Sequence, residues 1–423
     1  PLAPASARDG GRVVSITPDP IGVGIDALGV YLPRYVLPLE RLAVARDVPA
    51  AKITVGLGAH AMAVTPPWED TVTLAVNAAA PLFARGDVRR DEIGLLVLGT
   101  ETAVDHAKPA SIFVHELLGL PASCRTFEVK HACYGGTAGV LLAADWVRSP
   151  ASRGRKALVI ASDIARYDLG SSAEFTQGAG AAAMVVSAAP RLLRLDPVTG
   201  VYANSVWDFW RPLDRREALV DGKFSLDCYL DALSGAIADW RGARNGDGSG
   251  PLLERFAAFL YHTPFPKMAH KAHARLVEGE GGDEASRAHA FERSYAERVD
   301  PWLALARQSG NTYTASLWLA LAWMAEQQAA AFEERDVALF SYGSGSCAEF
   351  FSGRFPAGSA AVAAKIGART LLDGRREVDV AEYEALLREG PRGGTPPAGY
   401  GAVCHLAAVR DHKREYHSEA RAA

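Results

Sequence analysis

The chain has no Cys-x-x-Cys pair. Its five cysteines, Cys124, Cys133, Cys228, Cys347 and Cys404, are odd in number and widely spaced. That pattern excludes a disulfide framework and a cysteine zinc site, and it suits a reducing, cytoplasmic compartment. A basic surplus is also missing, since 45 Lys and Arg face 49 Asp and Glu for a net charge of −4. Nothing is left over to neutralise phosphates, so general nucleic-acid binding is excluded. No apolar run reaches membrane-spanning length; Leu317–Ala325 stops at Glu326, and no membrane contact is expected. Two nucleotide signatures fail. The Gly-Ser run Ser341–Ser346 has no following Gly-Lys-Ser/Thr, and Gly178-Ala-Gly180 lacks the third glycine of a dinucleotide loop. Residues 1–21, with Pro, Gly and Ser but no apolar core, read as a flexible leader.

What remains is a large α/β enzyme pattern. The chain has 423 residues, too many for a single simple core, so two domains or two fused halves are expected. Ile93–Thr100, Lys156–Ser162 and Gly178–Ser187 are continuous apolar runs of strand length, which suit strands buried on both faces. Gly22–Tyr31 reads as a first strand, Leu39–Arg46 as a helix, and Glu69–Ala80 as an amphipathic helix with acidic residues in its first turn. The second half repeats the order. Phe256–Thr263 answers Leu95–Glu101, Gly310–Leu321 answers the turn and helix at Cys133, and Val337–Gly343 answers Lys156–Ser162. Tyr400–Val409 answers Gly178–Ser187. The charged stretch Val277–Ala296 reads as an exposed insertion or a solvated helix. The expected division is a 22–190 half carrying Glu101 and Cys133, a 191–412 half carrying His262 and Asn311, and a 413–423 tail.

The chemistry concentrates at His131-Ala-Cys-Tyr-Gly-Gly-Thr-Ala-Gly139. A β-type run, Cys124–Lys130, precedes it and an apolar helical run, Gly139–Val147, follows. Cys133 is thereby placed at a strand-to-helix junction. Backbone N–H groups and the helix dipole there would favour the thiolate, the nucleophilic form. The blander reading is a small buried hydrophobe. Glu101 follows an apolar strand, where partial desolvation raises a carboxyl toward general-base range; the alternative is a loop glutamate in water. His262 ends a strand just before Thr-Pro-Phe-Pro, and a lone histidine there is often only a hydrogen-bonded core residue. The loop Ser341–Ser346 presents backbone N–H groups suited to an oxyanion. Together these parts describe carbon–carbon bond chemistry on a thioester.

Several motifs carry a family resemblance. They are Gly99-Thr-Glu-Thr-Ala-Val-Asp105, Ala132–Ala138, Ser162-Asp-Ile-Ala-Arg-Tyr167, Thr176–Gly180 and Trp207-Asp-Phe-Trp-Arg-Pro212. Val220-Asp-Gly222, His262–Phe265, Gly310–Tyr313 and Ser341–Gly345 follow in order. In sequence and order they resemble the hydroxymethylglutaryl-CoA synthase family of the thiolase superfamily. The resemblance implies an α/β, thiolase-like five-layered αβαβα fold built from two duplicated halves. It implies Cys133 as acetyl acceptor, Glu101 as general acid/base and His262 as the group that polarises the acetoacetyl ketone. Asn311 and Tyr167 would line the acyl pocket beside Tyr313, with Asp163 and Asp208 as supports. Ser344 would give its backbone N–H to the thioester oxygen, and Lys267 and Lys271 would lie near the coenzyme A phosphates. Acetyl-CoA and acetoacetyl-CoA would be the substrates, with no metal or other cofactor, and the chain would form a homodimer.

Other readings stay open at this level. Relatives that carry out β-branching in polyketide synthesis resemble the Cys133 motif equally and take acyl groups from an acyl carrier protein. Lys267, where that branch resembles Phe-Gly-Gly-Met, leans toward coenzyme A. A ketoacyl synthase or thiolase would resemble Cys-His-His or paired-cysteine sites. A non-catalytic thiolase-fold scaffold would not require the Cys, Glu and His set.

Overall fold

The computed structural model describes residues 22–244 and 248–421; the expected leader, 1–21, lies outside the described residues. The runs read as doubly buried strands are strands of that kind. Along Ile93–Gly99 the side chains alternate between two cores. Leu95 and Val97 join a central cluster with Val140, Ala143, Leu317 and Trp318, whereas Leu96 and Leu98 face Leu74, Val76 and Val114. In the second half Val337 and Leu339 enter that same central cluster, and Ala338 and Phe340 face Leu233, Trp240 and Met268.

This alternation defines five layers. The helices Thr71–Ala84 and Ala110–Leu117 cover one sheet half, and Gly222–Ala243 and Pro266–Gly279 cover the other. Helices Gly135–Arg148 and Ser316–Phe332 fill the middle. The sheet is continuous, with ten strands among the described residues. Leu193–Leu195 is the seam, bonded to Gly24–Tyr31 on one side and Cys347–Arg354 on the other. Each half runs outward in the same sense. Ile93–Gly99 is parallel to Lys156–Ala165, which is antiparallel to Gly178–Ser187 and then Gly24–Tyr31. Likewise Phe259–Tyr261 is parallel to Asp336–Gly343, which is antiparallel to Cys347–Arg354 and then Gly200–Ala203.

Three expectations change. The fourth strand of the second repeat is Cys347–Arg354, not Tyr400–Val409. Cys404–Arg410 instead pairs with Lys413–Ser418 in a separate hairpin. The stretch expected as a tail is therefore largely a strand, tied down where Arg414 and Tyr416 both bond Asp70. The helix starts at Thr71 with Asp70 as its N-cap, and twelve of its residues are buried. It is enclosed rather than amphipathic, because the hairpin covers the side that would otherwise meet water. Residues 284–298 form a largely exposed helix, the solvated-helix reading of that charged stretch.

Glycine is required where the catalytic strand meets the central helix. A Cβ on Gly99 would sit 2.5 Å from the Gly136 nitrogen and 2.6 Å from the Gly135 carbonyl carbon. Backbone cannot yield as a side chain does, so Gly99→Ala should lower stability by about 1–3 kcal/mol. Thermal unfolding checks this against Gly242→Ala, which lies in open space on a helix.

Candidate active site

Cys133 lies two residues before the helix Gly135–Arg148, whose N-cap position is Tyr134. Ala132 turns the chain into it with φ of +40°, a strained value for a residue with a Cβ and a mark of functional loops. The sulfur is buried in a small cluster with Ala165, Tyr167, Ala218 and Tyr313, and Phe209 packs against it. Its Sγ approaches Glu101 Oε1 at 3.6 Å.

The expected thiolate is not the resting form. Burial, then the neighbouring carboxyls of Glu101 and Asp163, push the Cys133 thiol well above its ordinary value. The dipole of one helix is outweighed because desolvation and negative neighbours both penalise a second anion. Glu101 is pushed up too, to about 8, by burial first and Asp163 second, with Arg211 pulling it down. Near neutrality the pair therefore rests as thiol and carboxylic acid.

Asp163 explains why Glu101 is fixed. It is fully buried on the Lys156–Ala165 strand. Its Oδ1 accepts from the Glu101 N–H at 2.9 Å and from the Thr100 and Thr102 hydroxyls, both at 2.8 Å. Its Oδ2 accepts from the Thr314 N–H at 3.2 Å. One carboxylate thus joins the glutamate turn to the segment after Gly310.

That segment gathers the remaining groups. Asn311 is buried and accepts the Tyr313 N–H at 2.8 Å, while its own N–H donates to Thr176. Tyr313 reaches the Cys133 cluster with φ of +45°. Ser316 Oγ meets His262 Nδ1 at 2.6 Å. The imidazole is buried, and desolvation alone pushes its pKa down to about 3; it is neutral. Its backbone is pinned by the Tyr229 hydroxyl, which donates to the His262 carbonyl at 2.7 Å. Tyr167 is held from behind, its N–H donating to Gln177 Oε1 at 2.7 Å.

Asp208 is fully buried and anchors the Gly-Ser loop. It accepts from the Gly345 N–H at 2.8 Å and the Tyr342 hydroxyl at 2.7 Å. Since Gly345 spends its N–H there, Ser344 is the donor the loop can still offer. Ser344 and Glu101 line a common cavity of about 790 Å³. Lys267 and Lys271 do not line it. They sit one turn apart on the helix Pro266–Gly279, half-buried and exposed respectively. Reading the sequence did not assign roles to Arg211, Ser316 or Gln177. Arg211 lay within a quoted motif; Ser316 sits in an apolar helix and carries no local signal.

No group of three His, Cys, Asp or Glu able to hold a metal occurs among the described residues. All five cysteines are free, and no described helix is long and apolar enough to cross a membrane.

A buried cysteine paired with a carboxyl, together with a buried neutral histidine at a strand end of the other half, on a duplicated five-layered fold, defines an acyl-transferring condensing enzyme. The family description Hydroxymethylglutaryl-coenzyme A synthase N terminal matches residues 19–190, and its C-terminal counterpart matches 193–290 and 284–390. The chain belongs to the hydroxymethylglutaryl-CoA synthase family. It is 36% identical to hydroxymethylglutaryl-CoA synthase of Enterococcus faecalis, over 87% of this chain and 92% of that one. It is 35% identical to the polyketide biosynthesis 3-hydroxy-3-methylglutaryl-ACP synthase PksG of Bacillus subtilis, over 87% and 88%. Among solved structures, MvaS in complex with 3-hydroxy-3-methylglutaryl coenzyme A superposes with a TM-score of 0.88 at 45% identity, covering 94% of this chain and 99% of that one. The curacin-pathway HMG synthase bound to holo donor-ACP gives 0.85 at 34% identity, with the same coverage.

Proposed function

We propose that this chain condenses acetyl-CoA with acetoacetyl-CoA through an acetyl group carried on Cys133, and then hydrolyses the thioester. The observation that carries the reading is the 3.6 Å approach of Cys133 to Glu101, because a thiol and a carboxyl in contact can pass one proton through every stage.

In the first stage the carboxylate form of Glu101 takes the thiol proton as sulfur attacks acetyl-CoA. The tetrahedral oxyanion sits under the Ser344 N–H. Collapse breaks the bond to the coenzyme A sulfur, which leaves with the proton held by Glu101. In the second stage Glu101 removes a methyl proton from the acetyl group. The resulting enol carbon attacks the ketone of acetoacetyl-CoA, and Glu101 returns a proton to the new alkoxide. His262 holds that ketone. Ser316 Oγ accepts the Thr263 N–H at 3.3 Å, and in the tautomer where its own hydroxyl donates to Nδ1 the Nε2–H is left free to donate. In the third stage water attacks the Cys133 thioester, the C–S bond breaks, and thiol and carboxylate are released. Tyr167, Asn311 and Tyr313 shape the acyl pocket, and Asp163 and Asp208 position Glu101 and the oxyanion loop. No metal or other cofactor has a step to perform.

Coenzyme A is preferred over a carrier protein as the handle. Lys267 and Lys271, at i and i+4, present two cations on one helical face, and the greater identity to the 3-hydroxy-3-methylglutaryl coenzyme A complex leans the same way. Steady-state kinetics separate the two. Free acetyl-CoA should saturate the enzyme at a rate matching acetyl-carrier protein; saturation by the carrier form alone would overturn the preference.

The working unit is a cytoplasmic homodimer. Among the described residues Arg125–Val129 ends the sheet with an edge that pairs with no further strand, which a second copy can cover. Light scattering on the eluting protein should give twice the 45.0 kDa chain mass.

Basic pH should favour turnover, since Glu101 acts as a base only once ionised and its pKa is about 8. Arg211 lowers that value, so Arg211→Gln should move the rising limb of the kcat–pH profile to higher pH. A limb that stays in place would show that another group sets it.

A further inference from the structure

The cavity that opens on Glu101 and Ser344 carries more positive charge than the molecule around it accounts for. The whole chain is acidic, with a net charge of −4. Yet Lys130, Arg166, Arg211, Arg215, Arg216 and Arg414 all line this one space. Two of these are neutralised locally. Arg414 pairs with Asp70 at 2.8 Å and Arg215 with Asp168 at 2.9 Å. Glu389, also on the wall, is engaged by Arg392 at 2.7 Å. Glu101 is largely protonated near neutrality. Among the described residues no carboxylate is in ion-pair contact with Arg166 or Arg211, both half-buried, although Glu217 lies near enough to Arg166 to favour its charge, and the Arg216 hydrogen bond is to the Arg388 carbonyl at 3.4 Å.

The cluster is unfavourable by itself. Burial and then the nearby Arg216 and Arg211 push Arg166 down to about 9, a large fall for a guanidinium. Like charges held together in a partly desolvated space are stabilised by an oxyanion, and the planar guanidinium fork matches one bidentately.

We propose that Arg166, Arg211 and Arg216 form an oxyanion subsite that receives the carboxylate released from Cys133. The assignment rests on the synthase reading above. In its last stage the water oxygen bonds to the acyl carbon, the C–S bond breaks, sulfur takes one of the two water protons, and the acid ionises by losing the other to solvent. One negative charge is thereby created at Cys133, which does not itself line the cavity but touches Glu101, and Glu101 lines it together with these three arginines. The subsite draws that carboxylate off the nucleophile and opposes re-formation of the thioester. It is separate from Lys267 and Lys271, which do not line this space.

Free 3-hydroxy-3-methylglutarate and inorganic phosphate are the two probes, titrated calorimetrically into the full-length protein. The dicarboxylate should bind the wild type more tightly than phosphate does. Arg211→Gln should weaken it by about tenfold, the scale of one charge-assisted contact. Arg216→Gln, at an exposed position, provides a second variant with little risk to folding and should weaken it by a smaller factor, about threefold. Unchanged affinity in both variants, or no binding to the wild type, overturns the subsite. Tighter binding of phosphate, lost in the same variants, overturns the carboxylate assignment and points to a phosphate-bearing arm. Acetyl-enzyme formation from acetyl-CoA is measured on the same samples. Its absence from the wild type defeats the synthase reading, whereas its presence with no arginine effect defeats only the subsite.

Discussion

Cys133→Ala is expected to abolish acetyl-enzyme formation and lower turnover by on the order of 10⁴-fold or more, the scale seen when a nucleophile is removed. The fold should survive. The change deletes one sulfur from a small cluster, and at most about 2 kcal/mol of stability goes with it. Radiolabelled acetyl transfer reads the first effect and thermal unfolding the second; label retained by the variant would refute the assignment. The sulfur's resting state has its own consequence. Because burial and two carboxyls hold the thiol protonated, alkylation by iodoacetamide should be slow at neutral pH and rise steeply above it.

Glu101→Ala should separate the stages. The variant is expected still to accept acetyl from acetyl-CoA, at a reduced rate because the thiol proton must leave to water instead of Glu101, and to condense about 10²–10⁴-fold more slowly, the range spanned by loss of a general base. It should also change the sulfur in a defined direction. Glu101 raises the Cys133 pKa both by its charge and by accepting the thiol proton's hydrogen bond. Removing it lowers that pKa, so the alkaline rise in alkylation should begin at lower pH even as condensation fails. Slower condensation with unchanged alkylation would mean that the two groups are not in contact in solution. Near wild-type condensation would remove Glu101 from the proton path.

Much of this was legible in the chain itself, for identifiable reasons. Ile93–Thr100 and Val337–Gly343 are apolar without a break because both faces of each strand are covered, and that registers directly in composition. The Cys133 motif registers because a Cβ on Gly136 would come within 2.7 Å of the Ala161 Cβ, and one on Gly99 within 2.5 Å of the Gly136 nitrogen. The fourth strand of the second repeat was misplaced for a physical reason too. Cys347–Arg354 contains Glu349, Ser352 and Gly353, a polar composition that an outer sheet position would suggest. Glu349 is nevertheless buried and satisfied by the Tyr134 hydroxyl at 2.5 Å. Tyr400–Val409 has the more apolar pattern but spends it on a hairpin over the Thr71–Ala84 helix.

The electrostatics were the least legible part. A helix start next to a cysteine suggests a thiolate, and local sequence cannot reveal that Asp163, thirty residues away, also bears on that sulfur. The partnership of Ser316 with His262 is equally silent, because it depends on a turn of helix meeting a strand end from the same half. The clustering of Arg166, Arg211 and Arg216 is likewise a property of the folded cavity, since overall charge points the other way.

Intact mass spectrometry followed by peptide mapping, after incubation with acetyl-CoA alone, bears most directly on the whole scheme. One acetyl group per chain, located on the peptide that contains Cys133 and discharged when acetoacetyl-CoA is added, is the predicted result. An unmodified protein, or a stable acetyl group on any other residue, would contradict it.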